Sequence, residues 1–461
     1  SQTMRFIPGQ RVHIIGIGGT GMSAIARVLL RRGVLVSGSD MNLNEMTSAL
    51  EREGATIYKG HTASNISGAD ALIATSAVPD SHVEIAAARQ KGIPVYRRSD
   101  VMGALMVDQV GIAVAGTHGK TTTTSMIVHI LKSAGHDPTY IVGGVMANTG
   151  TNAEVGDGKA FVIEADEYGH MFHGLRPRIA LLTSVEWDHP DFFPTPQTLQ
   201  ESFMKFVNLL PEDGVLVACV DDAGAANIAQ KSAAKVITYG TQDRAQWRAV
   251  NIQQDGAVTQ YNVEHEGASL GEIQLAIPGQ HNVLNSLAAL IVAHNQGISF
   301  KDAAAALASF RGAGRRFDLR SDTGEIAVID DYAHHPTAIR VTLEAARSRY
   351  PDREIWAIWQ PHTYSRTKQL WHDFLTAFAA ADHVLVTEVY AARETDTLGI
   401  RSADFVEALA HESKFHAPTL TDAVEILEEA VKAPAAILIL SAGDAPQIGI
   451  DYLSTLGADA R

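Results

Sequence analysis

Short apolar runs, each ending in a glycine or polar turn, alternate along the chain with segments of helical periodicity. Val12-His13-Ile14-Ile15 reads as a buried strand, Met22 to Arg32 as a helix, and Val34-Leu35-Val36 as the next strand. Further short strands are expected at 71–74 and 93–96. Strands separated by helices predict a parallel sheet. The pattern restarts near residue 109. An apolar strand at 110–115 enters a glycine loop and a helix over 121–133, and later strands fall at 160–163, 179–183 and 215–218. Residues 245–277 hold alternating short runs with no helical period, such as Val258-Thr259-Gln260-Tyr261-Asn262-Val263, which predict a small antiparallel patch. Helices follow at about 282–295 and 301–309. Phe310-Arg311-Gly312-Ala313-Gly314-Arg315-Arg316 breaks the pattern, and a third strand–helix series carries strands at 326–329, 356–359, 384–387 and 436–440.

Composition narrows the class. With 461 residues, 46% of them apolar, several cores can form, and the three series predict three α/β domains at 1–108, 109–311 and 312–461. The formal charge of −15 argues against a nucleic-acid binder, which needs a basic face. Anionic small ligands stay open, because local Lys, Arg or metal charges override a global field. A single cysteine excludes an internal disulfide and suits a reducing compartment. No apolar run reaches the roughly 18–20 residues of a membrane span, and no basic-then-apolar leader stands at the N-terminus. The expectation is a cytoplasmic protein without membrane insertion, monomeric or a homodimer.

Two glycine loops carry the first chemistry. Gly16-Ile17-Gly18-Gly19-Thr20-Gly21 lies between a strand and a helix, where glycines let the backbone turn tightly and approach a diphosphate at the positive helix end. Asp40 closes the second strand, about where a ribose-binding acid sits. Alone, this motif reads as a dinucleotide turn, with NAD among the candidates. Ala115-Gly116-Thr117-His118-Gly119-Lys120-Thr121-Thr122 reads as a phosphate loop: backbone N–H groups cradle phosphates, Lys120 reaches the terminal ones, and the Thr121 hydroxyl suits Mg²⁺. It departs from the standard motif in having Val114 where a glycine is usual. An NAD-dependent oxidoreductase leaves this second loop unexplained. A P-loop motor or switch leaves the first loop and the later histidines idle.

The remaining polar clusters follow predicted strands. Glu164-Ala165-Asp166-Glu167 stands at a strand's C-terminal end beside the phosphate loop and suits Mg²⁺. The next strand leads to Asp188-His189. Since strand ends of one parallel sheet share an edge, Lys120, Glu164 and His189 are expected to converge. Gly279-Gln280-His281-Asn282-Val283-Leu284-Asn285 opens a helix and serves either a base edge or a helix cap. Asp330-Asp331-Tyr332-Ala333-His334-His335-Pro336-Thr337 and Gln360-Pro361-His362-Thr363-Tyr364-Ser365-Arg366 follow strands of the last series. Adjacent histidines diverge on a strand and on a helix, so His334 and His335 are not expected to share an ion. Anion binding by His334, His362 and Arg366 fits better, with Arg366 able to hold a carboxylate through a two-pronged hydrogen bond.

Taken in order, GIGGTGMSAIA, SGSD, AGTHGKTTTTSM, EADE, DH, GQHNVLN, GAGRRFD, DDYAHHPT and QPHTYSRT resemble the Mur ligase family from about residue 11 to residue 449. The resemblance implies an N-terminal Rossmann-like domain for the UDP-sugar, a central P-loop ATPase-like α/β domain for ATP, and a C-terminal Rossmann-like domain for the amino acid. It implies ATP-dependent joining of L-alanine to UDP-N-acetylmuramate through an acyl phosphate, with Mg²⁺. Gly18, Gly19, Thr20, Gly21, Met22 and Ser23 would then line the diphosphate loop, with Asp40, His61 and Ser76 near the uridine. Gly116, Thr117, His118, Gly119, Lys120, Thr121 and Thr122 would hold the ATP phosphates. Thr121, Glu164 and His189 would bind Mg²⁺. His281, Asn282 and Asn285 would face the adenine. Arg316 and Asp331 would close over ATP, while Tyr332, His334, His362 and Arg366 would surround the amino acid and the muramyl carboxylate. Lys120, Glu164, His189 and His334 are the expected catalytic set. Two departures stand out. Tyr168-Gly169 replaces the Ser-Asp usual after EADE in alanine-adding members, and resembles the member that recycles whole tripeptides. Thr363 stands where many alanine-adding members have a second arginine.

Overall fold

The computed structural model describes residues 4–142, 153–255, 258–310, 312 and 317–457. Its first sheet comprises β1 (Arg11–Ile15), β2 (Leu35–Asp40), β3 (Thr56–Lys59), β4 (Ala71–Ala74) and β5 (Val95–Arg97), all parallel, in the order β3-β2-β1-β4-β5. The chain runs outward from β1 through β2 to β3, then returns to β4. That reversal opens a crevice beyond the C-terminal ends of β1 and β4, which is where the first glycine loop lies.

The second sheet has ten strands: β6 (Val110–Ala115), β7 (Thr139–Ile141), β8 (Ala153–Glu154), β9 (Ala160–Glu164), β10 (Ile179–Leu182), β11 (Val215–Cys219), β12 (Lys235–Gly240), β13 (Trp247–Asp255), β14 (Val258–His265) and β15 (Ala268–Leu275). Their order is β15-β14-β13-β12-β11-β10-β6-β9-β7-β8. Central β6 is flanked by β9 and β10, both parallel to it, so three C-terminal strand ends share one edge. The expected antiparallel patch is real, but it is not separate. β13, β14 and β15 pair antiparallel, and β13 joins the parallel sheet through Tyr239 and Gly240 of β12.

The third sheet contains β16 (Asp318–Asp322), β17 (Ile326–Asp331), β18 (Glu354–Trp359), β19 (His383–Thr387), β20 (Lys414–Ala417) and β21 (Ala435–Leu440), in the order β16-β17-β21-β18-β19-β20. Only β16 runs antiparallel within it. Every residue of β21 is buried. A strand covered on both faces reads as an unbroken apolar run, which is why Ala436 to Leu440 was legible as a strand. β3 and β16 show no such run: they are edge strands with mostly exposed or half-buried side chains, and the sequence pattern passes over them.

Candidate active site

In the first domain the glycine loop is held by side chains from the neighbouring strand ends. Asp40 Oδ2, at the end of β2, accepts from Gly18 N at 2.8 Å, and Asn44 Nδ2 donates to the Gly18 carbonyl at 2.9 Å. The helix Thr20–Arg31 then starts with Gly19 as its cap and no side-chain bond to its first amides, so those N–H groups face the crevice as anion donors. Met22 and Ser23 are buried. Ser76 is exposed just past β4. A residue that sequence reasoning missed lies against this loop. A Cβ on Gly21 would stand 2.3 Å from Cζ of Arg98, so the guanidinium packs where only glycine leaves room. Burial lowers its pKa against the pull of Asp166, and its Nε has no hydrogen-bond partner among the described residues.

Behind the loop sits a buried carboxylate. Glu84 Oε1 accepts from His13 Nε2 at 2.6 Å and Ser39 Oγ at 2.7 Å, and Oε2 accepts from Asn65 Nδ2 at 3.0 Å and Thr62 N at 3.2 Å. His61 Nδ1 lies 2.8 Å from Ser39 Oγ, so this network sets the His61 ring. Burial opposes ionisation of Glu84, but the bonds from His13, Ser39 and Asn65 outweigh it and hold the pKa at about 2. Since that value lies below the ordinary 4.5, Glu84 stabilises the fold above about pH 4.5 and loses that contribution as pH falls toward 2. Glu84→Gln is expected to give a shallower decline of the thermal midpoint between pH 5 and pH 3 than the parent. An identical decline in both proteins would contradict this assignment.

The phosphate loop follows β6. Gly119 adopts φ +81°, and a Cβ there would lie 2.7 Å from Asn285 Oδ1. The helix Gln280–Asn295 therefore begins directly against the loop. Asn285 Nδ2 donates to Asn282 Oδ1 at 3.2 Å, and Asn282 Nδ2 to the Pro278 carbonyl at 2.8 Å, so both expected adenine contacts also brace this helix start. His281, beside them, is partly exposed.

From here the expected convergence is visible. Thr121 Oγ1 donates to Glu164 Oε1 at 2.6 Å, joining the helix Lys120–Ser133 to the end of β9. Lys120 Nζ donates to Glu167 Oε2 at 2.7 Å, and His189 Nε2 stands 3.3 Å from Glu167 Oε1. Burial alone would lower the Lys120 ammonium, but Glu167, Asp166 and Glu164 outweigh it and raise its pKa above the usual lysine value. Burial alone would raise Glu167, yet Lys120 and His189 hold it at about 2. At neutral pH the pair is fully charged. The donors suit Mg²⁺, a hard cation that prefers oxygen: a hydroxyl and a carboxylate in contact, and beside them the buried carboxylate of Glu167.

The C-terminal domain enters the same site. Arg366, 4% exposed, donates from Nε to Asp188 Oδ1 at 2.8 Å and from Nη2 to His189 Nδ1 at 2.9 Å. Its helix Tyr364–Gln369 is capped by Thr363, whose Oγ1 accepts from Arg366 N at 3.4 Å. The two-pronged grip expected for a ligand carboxylate thus lies on Asp188 and His189 of the central domain. Burial opposes ionisation of Asp188, but Arg366 and His189 hold its carboxyl well below the usual range. His334 Nδ1 donates to the Tyr332 carbonyl at 2.9 Å, leaving Nε2 3.8 Å from Asp188 Oδ2. Burial, then Arg366, pushes His334 well below the usual histidine value and His362 down to about 4, so both rings are neutral at pH 7. Asp331 accepts from Phe317 N and Ala333 N, turning the chain at the end of β17. Arg316 lies outside the described residues.

Three family descriptions match consecutive stretches: "Mur ligase family, catalytic domain" over residues 11–109, "Mur ligase middle domain" over 114–293, and "Mur ligase, glutamate ligase domain" over 315–443. The chain belongs to the Mur ligase family. Among curated Mur ligases it is 42% identical over 439 residues to the UDP-N-acetylmuramate–L-alanine ligase of Salinibacter ruber, covering 94% of this chain and 92% of that protein. It is 41% identical over 456 residues to the protein of the same name from a Geobacter strain, covering 97% and 98%. Among solved Mur ligases, the UDP-N-acetylmuramate–alanine ligase of Thermotoga maritima superposes with a TM-score of 0.78 at 30% identity, over 97% of this chain and 99% of that one. A murein peptide ligase from Psychrobacter arcticus gives 0.69 at 29%, over 98% and 100%.

Proposed function

We propose that the chain joins L-alanine to UDP-N-acetylmuramate, with ATP converted to ADP and phosphate, in peptidoglycan precursor synthesis. One observation supports this more than any other. Lys120, Glu164, Glu167, Asp188, His189, His334 and Arg366 come from two domains and meet at the C-terminal edges of their sheets. A carboxylate and an amine do not condense unaided in water. Phosphorylation by ATP turns the sugar's carboxylate into an acyl phosphate, the amine attacks it, and phosphate leaves. The protein's part is to position reactants and to stabilise charge.

Lys120 neutralises the transferring phosphoryl group, and the amides of 116–122 cradle the phosphates. Thr121, Glu164 and His189 would hold Mg²⁺, which when bound supplies positive charge beside those phosphates. His281, Asn282 and Asn285 border the adenine side of the site, with Asp331 closing from the C-terminal domain, a role the family resemblance also gives Arg316. The UDP-sugar diphosphate lies on residues 18–23 with Arg98 beside it, and the uridine lies toward Asp40, His61 and Ser76. Tyr332, His334, His362 and Arg366 line the amino-acid side. There the neutral His334 Nε2 offers a lone pair to the amine. No helix among the described residues is long and apolar enough to cross a membrane.

Tripeptide recycling is the competing activity, and Tyr168 is what favours it. Its hydroxyl donates to Asp191 Oδ2 at 2.8 Å, its ring stands 5.2 Å from His189, and Arg393 lies over its face. The test is a panel of amino acids and the tripeptide, each supplied with UDP-N-acetylmuramate, ATP and Mg²⁺. L-Alanine is expected to drive phosphate release at least tenfold faster than the tripeptide. Turnover with the tripeptide alone would transfer the assignment to the recycling activity.

A further inference from the structure

His118, Glu186 and His335 form a cluster that the ligation chemistry leaves unused as a group. His118 stands in the phosphate loop, Glu186 follows β10, and His335 caps the helix Pro336–Arg349 of the C-terminal domain. His118 Nε2 is 3.0 Å from Glu186 Oε2, and His335 Nδ1 is 3.9 Å from Glu186 Oε1. One ligand atom from each residue lies within 4.8 Å of the others. Thr337 Oγ1 donates to Glu186 Oε1 at 2.6 Å, adding a fourth polar group from the C-terminal domain.

The surroundings are those of a metal-binding histidine. His335 Nε2 donates to the Trp187 carbonyl at 2.9 Å, which fixes the tautomer and leaves the Nδ1 lone pair toward the cluster. That lone pair now accepts from Thr337 N at 3.2 Å, a long bond that a metal would replace. His335 is 3% exposed, while His118 and Glu186 are partly open, so an ion has a route in and one position left for water. Zn–N bonds of about 2.0 Å put tetrahedral ligands about 3.3 Å apart, so closure needs shifts of about 1 Å.

We propose that His118, Glu186 and His335 bind one divalent ion of the zinc class, separate from the Mg²⁺ site at Thr121 and Glu164, and that this ion clasps the central domain to the C-terminal one. Two imidazoles and one carboxylate select zinc, nickel or cobalt over magnesium, which favours oxygen. Because ligation requires domains to close and reopen, an ion bridging them inhibits turnover even with Mg²⁺ in excess. The site stands independently of which amine the enzyme uses.

The test is equilibrium dialysis of the full chain against Zn²⁺ with a large excess of Mg²⁺, together with visible spectra of the Co²⁺ form. One tightly held Zn²⁺ per chain and the intense bands of four-coordinate Co²⁺ are expected. His335→Gln and Glu186→Gln should each weaken Zn²⁺ binding at least tenfold, with thermal melts confirming that each variant is folded. If His335→Gln does not fold, Glu186→Gln decides alone. Unchanged Zn²⁺ affinity in the folded variants would overturn the proposal. So would displacement of the ion by Mg²⁺, which would locate it at Thr121 and Glu164 instead.

Discussion

Lys120→Ala is expected to lower ATP-dependent amide formation by roughly 10²–10³-fold or more, the scale for losing a preorganised charge partner of a transition state. Binding of UDP-N-acetylmuramate should survive, because its loop follows β1 in another domain while Lys120 opens the helix after β6. The variant also strands Glu167. That carboxylate is completely buried, and Lys120 is its strongest partner. Removing one member of a buried pair destabilises by roughly 3–5 kcal/mol. His189, 3.3 Å away, offsets part of this, so the loss should fall toward the low end. Lys120→Ala with Glu167→Gln separates the two effects: stability should return toward the parent, and activity should not. Phosphate release, calorimetric titration of the UDP-sugar and thermal melts read the three quantities. Near-normal turnover in Lys120→Ala would refute the role assigned to it.

Asp188→Asn is expected to have the second largest effect, and to act across the domain boundary. The asparagine preserves shape but leaves the Arg366 guanidinium buried without its main counter-charge; both side chains are at most 4% exposed. The expected loss is roughly 3–5 kcal/mol of stability, together with a large fall in kcat. Asp188 is the first of the charges that outweigh burial and raise the pKa of His189, and Arg366 orients that ring through Nδ1. Arg366→Lys should fail nearly as badly, since an ammonium cannot reproduce the fork to Asp188 and His189. Pairing Asp188→Asn with Arg366→Met should recover part of the stability. A double-mutant cycle showing additive losses would mean that the two residues do not act as a pair.

These two residues mark the difference in legibility. Lys120, Thr121 and Glu164 are readable in the chain because each lies at a predicted strand end or in the helix that follows, and parallel strand ends share an edge by construction. The antiparallel stretch was likewise visible from its alternation at 258–263, although its fusion to the central sheet through β12 was not. Glu167 was visible only as part of an acidic turn. Nothing in its position says that it turns inward to Lys120, whereas a Lys-Thr phosphate loop implies a free ammonium. Arg98 was invisible for a similar reason. Its place beside the first glycine loop depends on how the helix Arg98–Met106 packs against Gly21.

By itself the order of residues determined three α/β domains, the two glycine turns between strand and helix and the class of chemistry, because strand periodicity and loop glycines are local properties that short stretches of chain express unaided. Which charges face one another was decided only in three dimensions. Arg366 reaches Asp188 across 178 positions of sequence, and His335 meets Glu186 rather than its neighbour His334. Those pairings arise where the edges of two sheets meet, and burial there makes each unpaired charge too unfavourable to tolerate. No spacing along the chain encodes that geometry.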